Sequence, residues 1–183
     1  MLRRARPPRR YPRTVAVLTR PRHLARRFVG SLSPRPPSPD DEAWARRHLL
    51  PGETAIWVRL TNPDRRHAVG VARDVVTRLG PEATRPVVAA ALLHDSGKLD
   101  SGLGTFARVG ATLWAAARGR TRAAAGNGRV ARYLRHDELG AGALAAAGAD
   151  PLTVAWARQH HGSEERWTLP PHVAAALKAA DDD

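Results

Sequence analysis

Residues 84–98 read Thr-Arg-Pro-Val-Val-Ala-Ala-Ala-Leu-Leu-His-Asp-Ser-Gly-Lys, and this stretch decides the fold. From Val87 to Leu93 it is apolar on every side, which is typical of a helix buried at the centre of a helical domain. The helix is expected to break at Ser96-Gly97, so it delivers His94 and Asp95 at its end. A buried imidazole and carboxylate are costly unless something pairs with them, and a divalent cation would do so. The alternative for this dipeptide alone is an exposed helix end, where His interacts favourably with the helix dipole.

Helical periodicity continues on both sides of this stretch, and no segment shows convincing strand alternation, so we predict an all-α fold. Ser38 followed by Pro39 and three acids predicts a helix start. Pro51-Gly52 is expected to break that helix, and Asn62-Pro63-Asp64 to open another that runs to Leu79. The five Trp are interpreted mainly as core and helix-packing residues. Further helices are predicted at residues 53–60, 84–93, 103–118, 129–135, 138–147, 151–160 and 171–180.

Positive charge is concentrated at the N-terminus of this chain of 183 residues, whose formal net charge is +13. Residues 1–40 contain eleven Arg, eight of the fifteen Pro and a single acid. Such sequence, without apolar periodicity, cannot repay its ordering entropy. We therefore predict a disordered basic arm over residues 1–36 and one domain over residues 37–183. Weak contact of the arm with nucleic acid or an anionic membrane is the functional alternative.

Cysteine is absent, which excludes disulfides, thiolate metal sites and a cysteine nucleophile. Any metal must therefore be held by His and carboxylate side chains. The longest apolar stretch, residues 87–93, is far shorter than the roughly 20 residues that a membrane span needs. No segment has the core of a convincing signal peptide. We predict a cytoplasmic protein without a membrane span.

Imidazoles or carboxylates fall at one point on each of five amphipathic or apolar helices. Taken singly, each has an ordinary explanation, such as a satisfied core histidine or a solvated chain end. Helical bundles, however, build metal sites from inward-facing side chains in this way. Nitrogen and oxygen ligands of this mix suit iron, manganese, zinc or cobalt. The residues concerned are His67, His94, Asp95, His136, His160, His161 and Asp181, whereas His23, His48 and His172 fit no constellation.

These residues carry a resemblance to a known family. His67, then Leu92-Leu93-His94-Asp95-Ser96-Gly97-Lys98, then Ala179-Ala180-Asp181 resemble the H…HD…D signature of the HD-domain metal-dependent phosphohydrolases. His136-Asp-Glu-Leu-Gly140 and Arg158-Gln-His160-His161-Gly162 resemble segments of the HD subfamilies that bind two metals. These subfamilies include the HD-GYP cyclic-dinucleotide phosphodiesterases and the membrane-anchored cyclic-di-AMP hydrolases. The resemblance covers roughly residues 40–183 and implies an HD-domain helical bundle. Nothing after His161 resembles the Gly-Tyr-Pro motif, so cyclic-di-GMP is not implied as the substrate.

The resemblance also implies roles for individual residues. A first ion would be held by His67, His94, Asp95 and Asp181. Asp95 would bridge to a second ion, bound by His136, His160 and His161. Metal-activated hydroxide would then attack phosphorus in line with the leaving group. Asp95 and Lys98 are the expected catalytic residues, and Lys98 is also expected to contact substrate phosphate. Arg65, Arg66 and Arg135 are further candidates for phosphate contacts, with an ordinary surface Arg as the alternative for each.

We therefore expect a metal-dependent phosphohydrolase that cleaves a phosphate ester or phosphodiester of a small nucleotide-like substrate. It would use one or two divalent ions. The sequence leaves phosphomonoesterase and phosphodiesterase activity both open. The alternative is a degenerate HD-domain regulatory module that binds metal or nucleotide and reaches nucleic acid through its basic arm. The complete set of His and Asp residues favours the enzyme.

Overall fold

The computed structural model describes residues 33–119 and 123–182, and this part of the chain is all-α, as predicted. Residues 1–32, which make up most of the predicted arm, lie outside the described residues. No helix within the described part is long and apolar enough to cross a membrane. Short 3₁₀ turns occupy Gly80–Glu82, Ser96–Ser101 and Glu164–Arg166. The α-helices described are α1 (Pro39–Arg47), α2 (Pro51–Trp57), α3 (Asn62–Leu79), α4 (Arg85–Leu93), α5 (Thr105–Arg118), α6 (Arg129–Leu134), α7 (His136–Ala146), α8 (Pro151–Gln159) and α9 (Pro171–Asp182).

Hydroxyl side chains cap the N-terminal ends of α1 and α3. Ser38 Oγ accepts a hydrogen bond from the backbone N–H of Asp41 at 3.1 Å, which confirms the predicted start of α1. For α3 the capping residue is Thr61 rather than Asn62, and its Oγ1 accepts from the backbone N–H of Asp64 at 3.3 Å. In both helices the hydroxyl satisfies an N–H that has no partner within the helix.

We predicted that Pro51-Gly52 would end the first helix. Instead, α1 ends at Arg47, and Pro51-Gly52 forms the first turn of α2. Proline suits this position because the first-turn N–H that it lacks would have no partner in the helix. Gly52 is required for a different reason. A Cβ atom there would lie 1.8 Å from the carbonyl oxygen of Ala147, so only glycine lets α2 approach the end of α7.

Helix α4 lies at the centre of the core, as its uniformly apolar sequence predicts. All its residues from Val87 to Leu93 are buried. It packs against α3, α8 and α2, and α9 packs against α3. Trp57 and Trp156 are the largest fully buried side chains of the described core. This packing brings the C-terminal end of α4 to the end of α8 and to the inner faces of α3 and α9.

A buried carboxylate ties α2 to the starts of α4 and α8. Glu53 is fully buried and accepts the backbone N–H groups of Leu50 at 2.8 Å and Asp150 at 3.1 Å. It also pairs with the guanidinium of Arg85 at 3.2 Å. These three donors replace the water that a buried carboxylate would otherwise need, so the far end of α4 is held in place.

The chain that precedes α1 is bound to the start of α3. Arg66 donates to the backbone carbonyl groups of Ser33, at 2.8 Å, and of Arg35. The side-chain amide of Asn62 donates to the carbonyl of Pro34 at 2.8 Å. The last residues of the predicted arm therefore contact the first turns of α3.

Candidate metal centre

Seven of the predicted site residues converge between the ends and inner faces of five helices. His67 lies on α3, and His94 and Asp95 follow directly after α4. The remaining four come from α7, the end of α8 and α9, and they are His136, His160, His161 and Asp181. Up to 114 residues (181 − 67) separate these side chains along the chain. The tertiary packing of helices far apart in sequence therefore assembles the cluster.

Asp95 lies in the middle of this cluster, and its two carboxylate oxygens face different groups of histidines. Its Oδ2 lies 3.4 Å from Nε2 of His94 and pairs with Lys98. Its Oδ1 lies 3.4 Å from Nε2 of His136 and 3.7 Å from Nε2 of His160. The two halves, each with ligand atoms within 4.8 Å of one another, are His67, His94 and Asp95 on one side and Asp95, His136, His160 and His161 on the other. Asp95 is thus placed to serve two ions.

Asp181 joins the first half of the cluster. Its Oδ1 lies 3.5 Å from Nε2 of His67 and 3.4 Å from Nε2 of His94. Ligand atoms about 2.1 Å from one ion lie about 3.4 Å apart when the ligands are arranged tetrahedrally. The separations of Asp181 from His67 and His94, and of Asp95 from His94, therefore fit pairs of ligands on one ion.

The main chain orients three of the histidines in the same way. Nδ1 of His94, His136 and His160 lies 2.9, 2.7 and 3.0 Å from the carbonyl oxygen of the residue three positions earlier. Each ring follows directly on the last turn of a helix, where carbonyl groups lack an N–H partner within the helix. With Nδ1–H donated to that carbonyl, Nε2 of each ring faces the cluster, where it can bind a metal once it carries no proton.

Two of these Nε2 atoms are buried and make no hydrogen bond to any described residue. They belong to His94 and His160, whose side chains are 1% and 0% exposed. Their nearest acceptors among the described residues are carboxylate oxygens of Asp95 and Asp181 at 3.4–3.7 Å, and a buried polar atom without a hydrogen bond is uncommon in native proteins. A cation between these nitrogens and the carboxylates of Asp95 and Asp181 would satisfy both. The ligand set therefore fits a metal on grounds that are independent of the sequence resemblance.

Charges in the first half of the cluster compensate one another. Burial alone would lower the pKa of His94, but the carboxylates of Asp95 and Asp181 raise it to about 10. Burial likewise opposes the ionisation of Asp181, yet His94 and His67 hold the pKa of that carboxyl well below its usual range. At neutral pH the His94 proton therefore supplies the positive charge that a bound cation would bring.

In the second half of the cluster, two of the three imidazoles have a lowered pKa. Nε2 of His161 lies 3.0 Å from Nε2 of His136. His161 is exposed at its outer edge, but its ring lies against those of His160 and His136, and loss of solvation on that side, reinforced by these two rings, lowers the pKa of His161 to about 2. Burial also lowers the pKa of His160. His160 and His161 therefore remain unprotonated at pH 7 and are available as ligands.

Lys98 adds a positive charge beside Asp95. Burial opposes the charged form, but the Asp95 carboxylate raises the pKa of Lys98 above its ordinary value. In turn, Lys98 and His94 overcome the effect of burial and hold the pKa of Asp95 well below its usual range. Both groups are charged at neutral pH, and the Lys98 side chain keeps 19% of its surface exposed. An ammonium at the edge of a metal-ligand cluster is suited to contact an anionic oxygen.

Two glycines bring the two halves of the site together, a role that was missed from the sequence. A Cβ atom on Gly97 would lie 1.8 Å from the carbonyl oxygen of His136. One on Gly140 would lie 2.7 Å from the backbone nitrogen of Gly97. The turn that carries Asp95 therefore rests directly on the first turn of α7. The sequence offered one indication of this role: Gly140 lies four residues after His136 and therefore on the same face of the helix.

Tyr133 forms a wall of the site and was also missed from the sequence. Its ring stacks on that of His136, with the ring centres 5.6 Å apart and the planes inclined by 20°. Its carbonyl accepts the Nδ1–H bond of His136. Its hydroxyl lies 3.5 Å from Oγ1 of Thr112 on α5. Tyr133 thus connects the site to helix α5.

The three arginines considered for phosphate contacts all bond within the chain. Arg65 donates to Oε2 of Glu42 at 3.2 Å and to Oδ1 of Asn62 at 2.6 Å. Arg66 holds the segment before α1, and Arg135 donates to the carbonyl of Gly126 at 2.8 Å. A phosphate contact by any of them remains a prediction that would require these bonds to rearrange.

Two of the histidines excluded from the constellation lie outside the cluster, as expected. Nδ1 of His48 lies 2.9 Å from the carbonyl oxygen of Trp44 at the end of α1. His172 pairs with Glu82 on the surface at 2.7 Å. His23, the third, falls outside the described residues.

Comparisons of the chain with protein-family models, with curated proteins and with solved structures yield no match.

Proposed function

We propose that the chain is a metal-dependent phosphohydrolase of the HD-domain type, which cleaves a phosphate ester or phosphodiester of a small nucleotide-like substrate. The observation that carries the proposal is the cluster around Asp95, in which five imidazoles and two carboxylates form two ligand groups that share one carboxylate. The order of these residues along the chain, which resembles the HD-domain signature, supports the same activity.

The donor set defines the kind of metal that fits. It contains imidazole nitrogen and carboxylate oxygen and, since the chain has no cysteine, no thiolate. Iron, manganese, zinc and cobalt all accept such ligands. When bound, the ions would polarise a phosphoryl oxygen and activate water at neutral pH. His67, His94, Asp95 and Asp181 would hold one ion, and Asp95 with His136, His160 and His161 the other.

The chain's own residues would position the substrate. Lys98 keeps its positive charge beside Asp95, so it can bind and orient a phosphate oxygen at the edge of the cluster. Among the seven ligands the side chains of His161 and His67 are the most exposed to solvent. The substrate would therefore approach from that side. Tyr133, stacked on His136, limits the space on the opposite side of that ring.

Metal reconstitution followed by activity measurements tests the proposal. Protein stripped with a chelator would be reloaded with each of the four metals and analysed for metal content. It would then be assayed on p-nitrophenyl phosphate, bis(p-nitrophenyl) phosphate and a panel of nucleotides. We expect hydrolysis that requires metal and falls by more than about a hundredfold in Asp95→Asn, because the shared carboxylate is lost. His48→Ala, which removes a similar helix-end imidazole outside the cluster, should keep full activity.

Two results would contradict this function. Stoichiometric metal without hydrolysis of any phosphate compound would favour the alternative of a regulatory module. Absence of stoichiometric metal, in protein whose helical content is intact, would overturn the metal centre itself.

A further inference from the structure

Helix α5 presents three large apolar side chains to solvent. Val109, Leu113 and Trp114 are 43%, 66% and 45% exposed, whereas the small residues Ala111 and Ala115 on the inner side are 4% and 5% exposed. Trp114 is thus an exception to the prediction that the tryptophans are packing residues. A helix on the surface of a soluble domain normally has the opposite polarity, with its large apolar side chains turned inward.

The outward apolar face of α5 is continuous. At 100° per residue, positions 109, 113, 117, 110 and 114 fall within an arc of about 140°. Gly110 and Ala117 are exposed as well, so none of these five positions carries a polar side chain. Of the four large apolar side chains exposed in the described part of the chain, only Val58 lies elsewhere. Contiguous apolar surface of this kind marks an interaction site.

The sequence around this face is strongly basic, which restricts what can cover it. Residues 101–136 contain no Asp or Glu but seven Arg, at positions 108, 118, 120, 122, 129, 132 and 135. If a second copy of the chain bound through this face, the arginines of the two copies would repel each other. Residues 1–32 contain ten Arg and no acid, so the chain's own N-terminal segment would be repelled too. Like charges disfavour both occupants, whereas an anionic surface is complementary.

We propose that α5 docks on an anionic lipid surface, with Val109, Leu113 and Trp114 inserted among the lipids. Helices that lie in the bilayer interface combine Trp and Leu on one side with Arg on the flanks, and Trp favours the headgroup region. The apolar arc of α5 offers no hydrogen-bonding side chain with which to read a peptide, and a fluid bilayer requires none. The arginines of residues 1–32 would strengthen attraction to the same lipids. This activity is independent of the proposed hydrolysis.

Vesicle flotation with the full chain tests the proposal. Vesicles of phosphatidylcholine alone would be compared with vesicles containing about 30% phosphatidylglycerol, at low and high salt. The variants are Leu113→Gln/Trp114→Gln and the control Val58→Gln, which has the same 45% exposure as Trp114. Because glutamine is neutral, the net charge is unchanged. We expect wild type and Val58→Gln to bind the anionic vesicles equally, and the double variant to bind at least about tenfold more weakly. High salt should weaken binding of all three.

Several outcomes would overturn the proposal. One is equal vesicle binding by the double variant, which would show that the arginines act without α5. Another is the absence of binding to anionic vesicles. A wild-type dimer that the double variant dissociates would place a second copy on the face. Tighter binding of an acidic amphipathic peptide through the same two side chains would replace lipid by protein.

A second measurement avoids the double variant, in case it loses helical content. Brominated anionic lipids quench only tryptophans that enter the bilayer. We expect them to quench wild-type fluorescence strongly and that of Trp114→Phe much less. Equal quenching of both proteins would contradict insertion of α5.

Discussion

A Cβ atom on Gly140 would lie 2.7 Å from the backbone nitrogen of Gly97. The turn after α4 and the first turns of α7 therefore meet backbone to backbone. Asp95 lies two residues before Gly97, and His136 lies one helical turn before Gly140. The closeness of these two glycines thus sets the distance between the shared carboxylate and the first ligand of the second half of the site.

We predict that Gly140→Ala forces the two backbones apart. The variant should lose about 1–3 kcal/mol of unfolding free energy, as overpacked sites do, and also lose metal affinity. Gly142→Ala is the matched control on the same helix, because a Cβ there meets nothing within 4 Å. It should be more stable than wild type by roughly 0.5–1 kcal/mol, since a helical glycine is replaced. Thermal unfolding and metal analysis check both. Equal effects of the two variants would show that the contact imposes no constraint.

Loss of His136 should remove one ion rather than two. We expect about two ions per wild-type chain and about one in His136→Ala, because the four ligands of the first half remain. Most activity should be lost with the second ion. The control variant His48→Ala removes a comparable helix-end imidazole that lies outside the cluster, and it should keep both ions. Metal analysis that finds one ion in wild type and the same content in His136→Ala would leave only a one-metal site.

Metal affinity should rise with pH. In the metal-free protein burial disfavours the charged form of His94, but Asp95 and Asp181 raise its pKa to about 10, so its ring is protonated at pH 7. A metal binds Nε2 only after that proton leaves, so binding releases a proton. Affinity should therefore tighten by about tenfold per pH unit from pH 7 towards pH 10. Calorimetric titration in buffers of different ionisation enthalpy measures the released proton. A metal affinity that does not change between pH 7 and pH 10 would contradict the assignment of His94 as a ligand that must lose a proton on metal binding.

The N-terminal arm should have a functional boundary near residue 33. Deletion of residues 1–32 keeps the carbonyl groups that Arg66 and Asn62 bind, so stability and metal content should be retained. Deletion of residues 1–36 removes those acceptors and should cost about 1–2 kcal/mol. Urea unfolding of the two truncated chains distinguishes the cases. Identical unfolding curves would show that the segment before α1 adds no stability.

Much of the helical architecture was predictable because it depends on local chemistry. Apolar spacing and capping residues predicted each helix, and the buried sequence of α4 predicted its central position. Boundaries were less certain: α7 begins at His136 itself, two residues before the predicted helix. That shift places the ring directly after the last turn of α6, where the carbonyl of Tyr133 is in reach.

Features that depend on tertiary distance were not predictable. The contact between Gly97 and Gly140 exists only once the Ser96–Ser101 turn is packed against α7, and no local pattern indicates it. For α5 a helix was predicted over residues 103–118, but not which of its sides faces inward. Because Ala111 and Ala115 turn to the domain, Trp114 is left outside, contrary to expectation. The metal, the substrate and the family resemblance remain predictions.

The imidazoles of His94, His136 and His160 take their alignment from the main-chain carbonyls of Ala91, Tyr133 and Ala157. Every amino acid carries that carbonyl, so exchanging the side chain at these three positions leaves the aligning group in place as long as the helix persists. Metal sites that orient their histidines with Asp or Glu side chains can lose alignment through a single mutation. In this protein the direction of the three rings depends instead on the continuity of three helix backbones and on no single side chain.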